Sequence, residues 1–216
     1  MILSKRLFAE FLGSAGLLAV VVGSGIMGES LSGGNLAIAL LANSIATGAG
    51  LYALILCFGP ISGAHFNPAV SFVEWLWKKL STKELGLYIL VQITGAITGV
   101  LVAHAMFGQR LFQLSQHDRS DFRFLLSEAL ATFGLIIVIA LSGRKNVETT
   151  PIAVSLFITS AYWFTSSTSF ANPAVTIARS LTDTFSGVHW ASVTGFIAAQ
   201  IAGALVAYQI SKFLSK

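Results

Sequence analysis

Two copies of the tripeptide Asn-Pro-Ala constrain what this chain can fold into. One is Asn67-Pro68-Ala69, within SGAHFNPAV (62–70), and the other is Asn172-Pro173-Ala174, within TSFANPAV (168–175). The two asparagines stand 105 positions apart, close to half of the 216-residue chain. Proline is favoured in the first turn of a helix, where its missing N–H leaves nothing unsatisfied, so Pro68 and Pro173 each open a short helix. The residue before a proline is pushed out of helical geometry, which puts Asn67 and Asn172 at cap positions. Used twice at half-chain spacing in a very hydrophobic sequence, this chemistry predicts a pair of short helices that dip into a membrane.

The hydrophobicity is extreme for a soluble protein. Apolar residues make up 55% of the chain and charged residues 10%, with a mean hydropathy of +0.78, where a soluble domain carries about a quarter charged residues. Spans are expected at about 7–28, 35–58, 85–107, 122–142, 150–168 and 188–211, each near the ~20 residues a bilayer requires. Two apolar segments remain, about 61–80 and 169–182, and read as re-entrant half-helices. Non-helical backbone at membrane depth is tolerated only inside protein or beside a wet cavity, so these segments point to a pore or a site. Lys5 and Arg6 precede the first apolar run. The run is too long for a signal peptide and lacks a small-residue cleavage site, and is read as a retained span.

The halves are alike. AEFLGSAG (9–16) against SEALATFG (127–134) aligns Glu10 with Glu128, and VQITGAITG (91–99) against AQIAGALVA (199–207) aligns Gln92 with Gln200. With three spans per half, the halves enter from opposite faces, an inverted repeat. The fold class expected is an all-α membrane protein of six transmembrane helices and two half-helices. It is a single channel domain over 1–216, with repeat 1 at about 1–107 and repeat 2 at about 122–216. Gly95/Ala96/Gly99 and Ala199/Gly203/Ala204 suit close helix crossings in lipid. Lys5, Arg6, Lys78, Lys79, Lys83, Arg144, Lys145, Lys212 and Lys216 fall on one side and Arg110, Arg119 and Arg123 on the other, placing both termini in the cytoplasm of a cell (inner) membrane.

Opposed half-helices bring two positive helix ends and the Asn67 and Asn172 amides toward the bilayer centre. Such an arrangement passes neutral oxygen-bearing solutes and repels cations. The two Asn-Pro-Ala motifs, the paired Glu10 and Glu128 and the inverted layout resemble the aquaporin (major intrinsic protein) family over essentially the whole chain. The resemblance implies a homotetramer with one pore per subunit, and a scaffold role for Glu10 and Glu128 toward the re-entrant backbone. That role agrees with the rule that ionisable residues in spans face the interior. Family members usually carry Arg directly after the second motif, where this chain has Val175. Counting from the motifs gives the remaining filter positions as Thr47, Ser169 and, on the fifth span, Ser160, with Thr159, Ala161 and Tyr162 as alternatives. A filter of Thr47, Ser160, Ser169 and Val175 is small, uncharged and rich in hydroxyls. It resembles the bacterial branch of the family associated with arsenic resistance, and suits glycerol-like polyols and metalloid acids such as arsenous acid, beside water.

Arg179, one turn past Val175, either partly replaces the missing charge at the mouth, pairs with Asp183 at i+4 or anchors the half-helix in the outer headgroups. His65 is expected in the vestibule, and His104 as a packed or interfacial residue. Gln92 and Gln200 are expected to bond backbone. Trp75, Trp77, Trp163 and Trp190 suit an aromatic belt. Cys57 is the one cysteine and the four histidines show no ligand spacing, so no metal or cofactor is expected. No basic stripe suggests nucleic acid. The expected partners are the lipid bilayer, small neutral solutes and further copies of the chain. A water-selective or broad water/glycerol channel, a secondary transporter, a membrane enzyme and an adhesion protein are the competing readings.

Overall fold

The computed structural model describes residues 1–143 and 149–214. Eight helices follow one another: α1 (Leu3–Leu31), α2 (Leu36–Ser62), α3 (Pro68–Leu76), α4 (Thr82–Met106), α5 (Phe122–Ser142), α6 (Thr150–Phe164), α7 (Pro173–Arg179) and α8 (Trp190–Leu214). No strand occurs among the described residues. Of the positive-side residues, Arg144, Lys145 and Lys216 lie outside the described residues.

Five helices are long and apolar enough to span a bilayer. The sixth, α6, has 15 residues, about 22 Å of rise. The expected span 150–168 is cut short because Thr165 turns extended (φ −108°, ψ 139°) and sends the chain inward. The half-helices are likewise shorter than the apolar segments that contain them, 9 residues in α3 and 7 in α7. Each begins at its proline. Asn67 and Asn172 cap them from extended backbone (φ −156° and −159°), their side chains accepting from Ala69 N and Ala174 N.

Polarity is arranged inside out. Leu31, Leu90, Leu130, Leu156 and Val206 face outward, while Glu10, Gln92, Glu128 and Gln200 are fully buried. Lipid accepts such a surface and rejects those polar groups, so they must be satisfied by protein. The α1–α4 and α5–α8 crossings are close because glycines line them. A Cβ on Gly95 would stand 2.4 Å from Phe11 O, on Gly99 2.2 Å from Ala15 O, and on Gly203 2.1 Å from Ala129 O. These are the small-residue positions the sequence singles out.

The termini share a face. Glu84, in the capping box that opens α4, binds Arg6 of α1 at 2.5 Å. Trp77, just past α3, packs on Tyr208 near the end of α8. The loops 107–121 and 180–189 meet at the opposite face, where Ser115 N bonds Ser180 O and His189 N bonds His117 O.

Candidate pore and its re-entrant scaffold

Each carboxylate that the aligned halves pair receives four donors. Glu10 Oε1 accepts from Ser62 Oγ (2.6 Å) and His65 N (2.9 Å), and Oε2 from Phe66 N (2.7 Å) and Gln92 Nε2 (2.8 Å). Glu128 repeats the pattern. Its Oε1 accepts from Ser167 Oγ (2.6 Å) and Phe170 N (2.9 Å), and Oε2 from Ala171 N (2.8 Å) and Gln200 Nε2 (2.6 Å). The glutamines donate onward to Ser71 Oγ and Thr176 Oγ1, both at 2.9 Å. They therefore brace side chains, where the sequence suggests bonds to backbone.

These anchors hold backbone in unusual conformations. Ala64 and Phe66 lie at φ 49° and 48°, and Ser169 and Ala171 at 52° and 48°. Non-glycine residues seldom adopt this region, and they persist there only when surroundings over-determine them. Here two backbone N–H groups per loop are tied to one carboxylate.

Between the loops the asparagines cross over. Asn67 Nδ2 donates to Ala171 O and Asn172 Nδ2 to Phe66 O, both at 2.8 Å. An amide nitrogen has two hydrogens; this latch uses one from each asparagine. Both residues also line a cavity of about 760 Å³.

The cavity runs from Trp77, Lys79 and Ser211 at the face of the termini, past His65, Asn67 and Asn172, to Thr47, Tyr162, Ser169, Val175 and Arg179. Its wall between is mostly apolar, with Leu17, Val21, Leu51, Leu135, Val154 and Ile158. His65 is held by Ser71 Oγ at 3.0 Å and packs on Tyr88. Among the described residues, Ser169 Oγ is buried without a hydrogen-bond partner.

Ser160 requires correction. Its side chain is exposed and bonds Phe157 O at 2.7 Å. Tyr162 is the α6 residue at this end of the cavity, its hydroxyl 3.2 Å from Thr47 Oγ1. Arg179 also departs from its i+4 reading. It is 2% exposed, its Nε donates to Ser186 O, and its Cζ lies 3.5 Å from the Phe170 ring centroid. Asp183 instead accepts from Gln116 N at 2.9 Å. Arg179 is instead one of the residues that line the cavity.

Several supports were invisible in the sequence. Arg119 reaches Ser167 O (2.9 Å) and Gly187 O (3.2 Å). His104, fully buried, bonds Leu111 O at 2.7 Å and Thr182 Oγ1 at 2.8 Å. From Thr182 the hydroxyls of Thr184 and Ser186 continue the chain to the residue whose carbonyl holds Arg179. Among the described residues, no group of three metal-ligating side chains is present.

Comparison with known proteins gives this geometry a family. The model of the family described as "Major intrinsic protein" matches residues 1–166. The chain is 47% identical over 212 residues to aquaglyceroporin AqpS of Rhizobium meliloti (strain 1021), covering 98% of this chain and 91% of that one. It is 28% identical over 219 residues to aquaporin NIP1-1 of Zea mays, covering 98% and 76%. The X-ray structure of the aquaglyceroporin from Plasmodium falciparum aligns with a TM-score of 0.77 at 21% identity, covering 96% of this chain and 95% of that one, a likeness of fold. The chain is an integral, multi-pass membrane protein with six membrane-crossing helices and two half-helices in an inverted repeat, and it belongs to the major intrinsic protein (aquaporin) family.

Proposed function

We propose that this protein is a passive channel for small uncharged solutes, conducting water and glycerol-like polyols and also metalloid acids such as arsenous acid. The observation that carries the reading is the cavity itself. It passes both asparagines, each with one amide N–H left after the latch, between apolar walls, and reaches Thr47, Tyr162, Ser169 and Val175. Two donors on an apolar track suit a solute that exchanges water for amide contacts one hydroxyl at a time. Val175 is shorter than the arginine usual in the family, which leaves room for solutes bulkier than water. The partnerless Ser169 hydroxyl offers them a further contact. The name of the 47%-identical relative, an aquaglyceroporin, favours the same solute size.

In this reading 1–216 is one channel domain, four copies assemble in the inner membrane, and both termini face the cytoplasm. Glu10 and Glu128 serve as scaffold, because four donors each leave neither carboxylate for ion coupling. That disfavours a secondary transporter, and the hydroxyl beside His65, that of Ser71, is fully buried and lies outside the described lining of the cavity, which disfavours an enzyme.

Stopped-flow light scattering on proteoliposomes under water, glycerol and arsenite gradients tests the proposal. Non-saturating flux of all three that needs no proton gradient is expected. Val175→Arg should reduce glycerol and arsenite flux about tenfold while water passage persists, since a guanidinium there narrows the neck. Unchanged glycerol and arsenite flux in Val175→Arg overturns the wide-neck reading, and saturation at low solute or dependence on a proton gradient overturns the channel.

A further inference from the structure

Among the described residues, three charged side chains line the cavity, Glu74, Lys79 and Arg179. The first two neutralise each other, with Lys79 Nζ 3.0 Å from Glu74 Oε2. Arg179 lines the other end, and Arg119, whose Cζ lies 5.4 Å from the centroid of the Phe170 ring, is outside the described lining. Arg179 is 2% exposed, and among the described residues it has no carboxylate partner. Asp183, four positions on, is held by Gln116 N, and Glu128 is already saturated by four donors. Among the described residues only Nε has a protein acceptor, the Ser186 carbonyl, and the four terminal N–H hydrogens of the fork have none.

The guanidinium is also held in place. Its plane lies over the Phe170 ring at 3.5 Å, and a ring face is a favourable seat for a cation. Phe170 is fixed in turn by Phe196 in an edge contact at 5.2 Å and by its N–H on Glu128. Val175, one turn earlier on α7, faces the same cavity with a short apolar side chain.

We infer that Arg179 is the cation barrier of this channel, and that width and charge at the neck are set by different residues. Val175 leaves the opening wide, and Arg179, parked against Phe170, keeps it positive. A bare ammonium, alkali ion or hydronium entering the neck meets an unpaired charge in a low-dielectric wall, whereas a neutral solute meets no such barrier. A wide neck without this charge would leak cations; with it, the channel admits larger neutral solutes and still excludes them. The inference rests on the channel reading above.

The test uses the full chain in proteoliposomes, comparing wild type with Arg179→Gln and Arg179→Lys. Glycerol flux is read by light scattering, and proton leak by an entrapped pH-sensitive dye under a potassium/valinomycin potential. Arg179→Gln should raise proton leak about tenfold or more, as expected for removing a unit charge a few ångströms from the path, with glycerol flux within about threefold of wild type. Arg179→Lys should keep wild-type tightness. Proton leak in Arg179→Gln equal to wild type, with glycerol flux retained, overturns the inference and leaves the channel reading intact. Wild-type vesicles that pass neither water nor glycerol defeat the channel reading itself. A second measurement needs no variant. In a potassium chloride gradient the residual wild-type conductance should prefer chloride, and a preference for potassium overturns the inference even if Arg179→Gln fails to fold.

Discussion

Replacing Glu128 by Gln removes one acceptor oxygen and the charge while keeping the shape. In the native site Oε1 serves Ser167 Oγ and Phe170 N, and Oε2 serves Ala171 N and Gln200 Nε2. Glutamine offers one carbonyl oxygen and one NH2. The least costly placement turns the NH2 toward Ser167, whose hydroxyl can rotate to accept. Phe170 N–H then faces another donor and is left unpaired in a dry site, at about 1–3 kcal/mol. The two bonds that survive lose their charge assistance, about 0.5–1 kcal/mol each. The sum is about 2–5 kcal/mol, reduced somewhat because no charge remains buried. For a chain of this size that is a fall of roughly 5–15 °C in apparent melting temperature. The assay is thermal unfolding of the detergent-purified protein followed by intrinsic fluorescence, beside water flux in vesicles. Glu10→Gln should fall by a similar amount, because His65 N and Phe66 N depend on Glu10 in the same way. Melting within about 2 °C of wild type, with unaltered flux, would show that the re-entrant turns do not hang on these carboxylates.

Gly203→Leu places a Cβ where Ala129 O lies 2.1 Å away, so the α5–α8 crossing must open. We expect loss of monodisperse protein on size-exclusion chromatography, whereas the same change at Gly86, which has open space around it, should be tolerated. Ser169→Ala deletes a buried hydroxyl with no protein partner; melting should hold or rise slightly while glycerol flux drops a few-fold. A drop in melting with unchanged flux would mean that the hydroxyl serves the fold and not the solute.

The layout was legible because membrane burial leaves long uniform traces. Apolar runs gave the spans, each proline marked the first turn of a half-helix, and Glu10 and Glu128 stood out as charges that lipid does not tolerate. Register was another matter. Counting back from Asn172 to the fifth span crosses eight non-helical residues, 165–172, where helical periodicity is lost. Ser160 and Tyr162 differ by two positions, about 200° around a helix, so a small miscount turns the side chain from cavity to lipid. The pairing of Arg179 with Asp183 is lost for a related reason. The i+4 rule assumes that the helix continues, but α7 ends at Arg179 with Ser180 as its cap, so Asp183 is not one turn away. The link from His104 to Thr182, on which the hydroxyl chain to Ser186 hangs, spans 78 positions and has no local signature.

The crossed asparagines bear on how the molecule is made. Phe66 O and the Asn67 amide wait for partners that lie more than a hundred residues downstream. While the ribosome is still in the first half, that turn has its carboxylate clamp but not its mate. The two turns therefore lock together only late in synthesis, after residues 171–172 have arrived. A chain severed in the 107–121 loop yields two fragments, each holding the key to the other.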